Sequence, residues 1–204
     1  MKTNLLILGT VLAAALVIIT RNTEVSATAI DRTRLPIAQP APAKVTQVLP
    51  ADAVMPEPWE VKAPEGAPNV VIILLDDIGF GAPSPFGGPV NMPTLQHLAD
   101  NGLSYNRFHT IALCAPTRGA LKSGRNHHRV NMGSIPEIAT GFAGNTTVIP
   151  DTAAPIAEVL RQNGYNTGAF GKWHETPGRE TTAAGPQTRW PTRQGFEKFY
   201  GFLG

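Results

Sequence analysis

Thiol chemistry has one address in this sequence. Among 204 residues there is a single cysteine, Cys114, so no intramolecular disulfide can form, and the disulfide-stapled class of small exported domains is excluded. The lone thiol is either a small buried apolar group or a chemically special residue. Charge is scarce too. Asp, Glu, Lys and Arg make up 16% of the chain, below the usual quarter, and a net charge of +2 with a pI near 8.9 points to no particular partner. There is no long basic run. The densest basic spot is Arg125, His127, His128 and Arg129, which suits a solvated turn or an anion site and offers no extended footprint for nucleic acid. No internal repeat is present.

What is there begins with a targeting pattern. Lys2 precedes an apolar run from Leu5 to Ile19, and small residues follow at Ser26, Ala27, Thr28 and Ala29. That order reads as a secretory signal peptide over residues 1–29, cut after Ala29, and so as an exported, periplasmic or secreted protein. The run is long for such a peptide and short for a spanning helix, so membrane attachment is expected only if the segment stays uncleaved. Residues 30–67 form a Pro- and Ala-rich leader. Prolines at 36, 40, 42, 50, 56, 58 and 64 deny it regular helix or central strand, leaving an extended or surface-hugging arm.

Residues 68–204 carry the folding pattern. Residues 70–75 are a continuous, β-branched apolar run, as in a strand buried on both faces of a parallel sheet. Pro93 to Asn101 has helical spacing with Gly102 as a stop, and Leu103 to His109 alternates like a strand. His109 ends it, placed to line a pocket or to satisfy a hydrogen bond. Ala115 to Lys122 reads as a helix with Pro116 in its first turn. Thr152 to Asn163 reads as a helix capped by Asp151 and closed by Gly164, and Tyr165 to Phe170 as a third strand. Alternating strands and helices predict an α/β sandwich with a mostly parallel sheet. Ligands gather at the carboxyl ends of the strands of such sheets, where Asp76, Asp77, Lys172 and His174 fall.

Three stretches carry chemistry. The first is Cys114-Ala115-Pro116-Thr117-Arg118, followed by Leu121 and by Gly124-Arg125. On a helix, Arg118 falls on the same face as Cys114, four residues on. The second runs from Asn69 to Gly81 and contains Asp76 and Asp77. Adjacent carboxylates at a strand end suit a hard divalent cation, and they also suit a plain turn or cap. The third is Gly171-Lys172-Trp173-His174. Residues two apart on a strand point the same way, which directs Lys172 and His174 together and turns Trp173 toward the core.

Taken in this order, the three stretches resemble the sulfatase family, with its C-x-P-x-R motif, its Asp-Asp turn and its G-K-W-H element. The closing Gly195-Phe196 and Phe199 to Phe202 are similar as well. The resemblance implies an alkaline-phosphatase/sulfatase-like α/β fold and arylsulfatase-type hydrolysis of sulfate esters. It implies that cellular machinery converts Cys114 to formylglycine, and that Asp76, Asp77 and the modified Cys114 hold Ca2+, or Mg2+. Arg118, Lys172 and His174 then serve the formylglycine hydroxyls and the sulfate oxygens. The unusual residue has a chemical reason. A hydrated aldehyde is a geminal diol; one metal-bound hydroxyl loses its proton near neutral pH and attacks sulfur. The remaining hydroxyl then collapses to the aldehyde and releases sulfate, which a serine ester could not do.

The sequence departs from the family pattern in three respects. Lys122-Ser123 stand before Gly124-Arg125 where an apolar residue and a threonine are commoner. Glu175 follows His174 where an apolar residue is common; adjacent strand residues face opposite ways, so little effect on His174 is expected. Family members also continue well past this length, to a second pair of metal ligands. The expectation is therefore a fragment or truncated product, incomplete at its C-terminus and inactive alone. A phosphate or phosphonate ester hydrolase of the same superfamily, and a non-catalytic secreted remnant, are the competing readings. Asn145-Thr146-Thr147 matches a glycosylation acceptor but reads as an ordinary loop.

Overall fold

The computed structural model describes residues 30–42, 44 and 46–204. The expected signal peptide lies outside the described residues, among which no helix is long and apolar enough to cross a membrane. Residues 32–204 form one compact unit.

Three helices and two strands organise it. Helix α1 spans Pro93–Asn101 and α2 spans Cys114–Ser123, both where periodicity puts them. In each, a proline lies in the first turn (Pro93, Pro116), where a missing N–H costs nothing because that donor has no helical partner. Helix α2 stops at Gly124, whose φ of 64° is left-handed and whose N–H reaches the Ala120 carbonyl at 2.9 Å. A glycine takes that conformation without the penalty a Cβ imposes. Helix α3 is shorter than its pattern suggests, Ile156–Gln162. The reason is Pro155: it cannot continue a helix begun earlier, and it restricts the residue before it to extended backbone. Asp151 accordingly does not cap α3; its carboxylate pairs with Arg189 at 3.0 Å.

Strands β1, Gly168–Lys172, and β2, Lys198–Phe202, pair in parallel with Gly168 opposite Lys198 and Lys172 opposite Phe202. The α/β class with parallel strands therefore holds. Among the described residues the sheet has these two strands; the strands expected at residues 70–75 and 103–109 do not form. The apolar run at 70–75 is the instructive case. Its side chains are 38–80% exposed, and a stretch without a hydrogen-bonded neighbour has no ladder to join, whatever its propensity. Its β-branched pattern specifies burial on both faces that this chain's described residues do not provide.

The parallel pair requires a crossover, and residues 173–197 supply it as loops and short 3-10 turns. Buried Glu180 organises it, accepting from Thr188 Oγ1 at 2.9 Å and from the Arg189 amide at 2.8 Å. The turn returns onto α3 at Gly195. There φ is 88°, and a Cβ would stand 2.2 Å from the Glu158 amide nitrogen. The core lies beneath α2, where Ala115 packs with Val130, Met132, Ile149 and Ala153. Trp173 is buried and meets Phe196 and Phe199 edge-on, confirming it as a packing residue. The Pro-rich arm is pinned to this body. Arg32 donates to the Asn163 carbonyl at 2.9 Å and the Lys62 carbonyl at 2.6 Å, and the Ala63 amide to the Gly164 carbonyl.

Candidate active site

The site forms where α2 begins and β1 ends. Cys114 is the first residue of α2 and half-buried. Its neighbours Ala115 and Pro116 are buried in the core, so the start of the helix is anchored from below. Thr117 adds a side-chain bond to the Ile111 carbonyl at 2.8 Å, which fixes the chain entering the helix.

Arg118, one turn along, links three parts of the chain. It donates Nη1 to the Lys172 carbonyl at 2.6 Å and Nη2 to Asp76 Oδ1 at 3.2 Å. Its buried Nε has no acceptor among the described residues. Lys172 completes the cluster, its Nζ 2.7 Å from Asp76 Oδ2. The hydrogen bond from Lys172 is the main reason the Asp76 carboxyl sits below its ordinary value; burial opposes it, and Arg118 adds to it. Reciprocally, Asp76 raises the Lys172 ammonium against burial, and the nearby Cys114 adds to the rise.

His174 lies just past β1. It is buried, with a φ of 58°, a backbone that non-glycine residues adopt at a cost of about 1–3 kcal/mol. Its amide bonds the Leu203 carbonyl at 3.0 Å. The ring spans two partners: Nδ1 lies 3.0 Å from Cys114 Sγ, and Nε2 lies 3.0 and 3.1 Å from the two oxygens of Glu137. Glu137 stands in the short turn Pro136–Ile138 and escaped the sequence reading. No motif surrounds it, and only the fold brings it to residue 174.

Of the expected site residues, Cys114, Arg118, Lys172, His174 and Asp76 are thus brought together. Asp77 is adjacent but separate in its contacts. It is exposed, left-handed at φ 55°, and makes no hydrogen bond or ion pair with another described residue. Among the described residues no three His, Cys, Asp or Glu side chains form a metal-binding cluster.

The other candidates resolve into structure. The His127 and His128 rings lie 4.0 Å apart, tilted by 38°, in a turn capped by the Asn126 side chain, so the basic spot is a built turn. His109 is exposed and bonds no other described residue. Asn145 is held in its loop, accepting from Ser134 Oγ and donating to Thr140 Oγ1. Glu175 turns away from His174, as expected, and forms a buried ion pair with Lys122.

With this geometry in place, the chain's relatives are informative. The family model described as Sulfatase matches residues 68–204. An uncharacterized sulfatase of Schizosaccharomyces pombe is 32% identical over 67% of this chain and 24% of its own length. The arylsulfatase of Klebsiella aerogenes is 33% identical, covering 70% of this chain and 29% of its own. Human arylsulfatase A is 36% identical, covering 66% and 25%. The chain spans about a quarter of the length of these relatives.

Proposed function

Because the chain belongs to the sulfatase family, we propose that it carries the nucleophile-bearing part of a sulfuric ester hydrolase, acting on aryl or alkyl sulfates, exported from the cytoplasm, with Cys114 modified to formylglycine. The observation that carries this reading is the meeting of Cys114 and His174, sixty positions apart in sequence, at 3.0 Å.

The chain's own residues divide the work. Cys114 marks the reacting position, and the formylglycine made from it supplies a hydroxyl nucleophile whose carbon can later release sulfate. His174 Nδ1 stands where a proton on the group at position 114 would be taken up or returned. Lys172 and Arg118 bring fixed positive charge to the spot where negative charge on sulfate oxygens grows, the kind of preorganised charge that stabilises such transition states. The unpartnered Nε of Arg118 is a donor that an oxygen at this spot would satisfy. Buried donors left without acceptors cost about 1–3 kcal/mol.

The donor set also suits a hard cation. Carboxylate oxygens match calcium or magnesium, and Asp76 is held ionised against Lys172 and Arg118, whose contacts an incoming cation would share or displace. Asp76, Asp77 and the modified Cys114 would hold the ion, which would lower the pKa of an attached hydroxyl. These donors make up part of a shell, since calcium takes about 6–8 oxygens, with waters and carbonyls among them.

Matched aryl sulfate and aryl phosphate esters test the reading, offered to the full gene product expressed with the modifying machinery. Faster sulfate hydrolysis, abolished by Cys114→Ala, is the expected result. Preference for the phosphate ester would move the protein to the phosphate or phosphonate branch of the superfamily. Hydrolysis of neither would leave a non-catalytic remnant.

A further inference from the structure

The ring of His174 is held from both sides, and its second partner is a carboxylate with no role so far. We propose that Glu137 is the positioning residue of His174: it accepts a hydrogen bond from Nε2–H and so keeps the neutral ring in the tautomer whose Nδ1 lone pair faces residue 114. The inference rests on the reading of His174 as the group that serves position 114.

The geometry leaves few alternatives. A neutral imidazole has one N–H donor and one bare acceptor nitrogen. An ionised carboxylate accepts only. Both Glu137 oxygens bracket Nε2, at 3.0 and 3.1 Å, so in the neutral ring Nε2 carries the hydrogen and Nδ1 is the bare nitrogen. Nδ1 then accepts from whatever Cys114 presents, at 3.0 Å. The opposite tautomer would aim a lone pair at a carboxylate and an N–H at the reacting position, where it could take up no proton.

Glu137 is ready for this role before any ligand arrives. Burial disfavours its ionised form, but its own backbone amide and then His174 outweigh that and keep the carboxyl below its ordinary value. The backbone of His174 fixes the other coordinate. Its left-handed φ of 58° and the amide bond to Leu203 set the backbone from which the ring projects, and the contacts to Cys114 and Glu137 hold its two nitrogens. A partner on the far nitrogen is the usual means of fixing a working histidine's tautomer.

The side chain of Glu137 is 55% exposed, so its replacement is compatible with folding. The test is a two-bond 15N–1H correlation spectrum of His174 in the purified chain at about pH 8, where a free imidazole is neutral, compared among wild type, Glu137→Ala and Glu137→Gln. Wild type is expected to show the Nε2–H form alone. Glu137→Ala is expected to show a mixture of both forms, and Glu137→Gln, whose amide oxygen can still accept, to restore the single form. An unchanged pattern in Glu137→Ala overturns the proposal, as does a wild type already mixed. The spectrum makes no use of turnover, so a chain that hydrolyses nothing leaves the assignment standing. Conversely, an unchanged spectrum in an active enzyme removes Glu137 and leaves the hydrolase intact.

Discussion

Lys122 and Glu175 form a buried ion pair that ties the last turn of α2 to the residue after His174. The Lys122 ammonium also lies 3.0 Å from the centre of the Trp173 ring, a cation–π contact. These are two of the positions at which this sequence departs from the sulfatase pattern, and each departure supplies the other's countercharge. Burial, then the charge of Arg118, push the Lys122 pKa well below its ordinary 10.5.

The pair should therefore behave as a unit in stability measurements. Removing one partner strands the other in the interior, at a cost of about 3–5 kcal/mol, whereas replacing both by apolar groups of similar size is neutral or stabilising. Urea unfolding of Lys122→Met is expected to show the large loss, and Lys122→Met with Glu175→Leu to recover it. Additive losses would contradict the pairing.

Acid should remove the Asp76 contribution in a defined direction. Its carboxyl is lowered from 3.8, chiefly by the Lys172 hydrogen bond, with burial opposing and Arg118 assisting. A depressed folded value means stability that is present above the unfolded value and lost as pH falls through the lower folded one. The stability gap between wild type and Asp76→Asn is thus expected to be steady at neutral pH and to close below pH 3.8. A gap that persists at the acid end would show that Asp76 does not act through its charge.

Loss of Arg32 should loosen the arm at residues 32–62, leaving the Ala63–Gly164 bond as a second anchor. Arg32 supplies the bonds to the Asn163 and Lys62 carbonyls, and hydrogen bonds from charged groups contribute about 1.5–3 kcal/mol. Limited proteolysis of Arg32→Ala is expected to cut within residues 38–58 sooner than in wild type, with cutting in the core segment from Ala115 to Ala153 unchanged. Equal cutting rates would mean the arm is held by something other than Arg32.

How much of this was legible in the sequence follows from where the information lies. The spacing of apolar residues and the placement of Pro93, Pro116 and Gly124 specify α1 and α2, because caps and first turns are local. The convergence of Cys114, Arg118, Lys172 and Asp76 was legible from three motifs in order. Local signals also misled. Residues 70–75 have the composition of a central strand, but a strand is defined by its neighbours, and exposed side chains there find none. Pro155 overrode a helical pattern that starts at Thr152. Glu137 carried no signal at all, since its meaning depends on one distance to a histidine 37 positions away. The Lys122–Glu175 pair was visible as two anomalies, and only their juxtaposition makes them one feature.

The most direct test concerns the atom at position 114. The chain is expressed in an exporting host that carries formylglycine-generating machinery, and the peptide containing Cys114 is weighed by mass spectrometry. A mass matching CHO in place of CH2SH, trapped by an aldehyde-reactive hydrazine, is the predicted result. An intact, alkylatable thiol under those conditions would contradict the account.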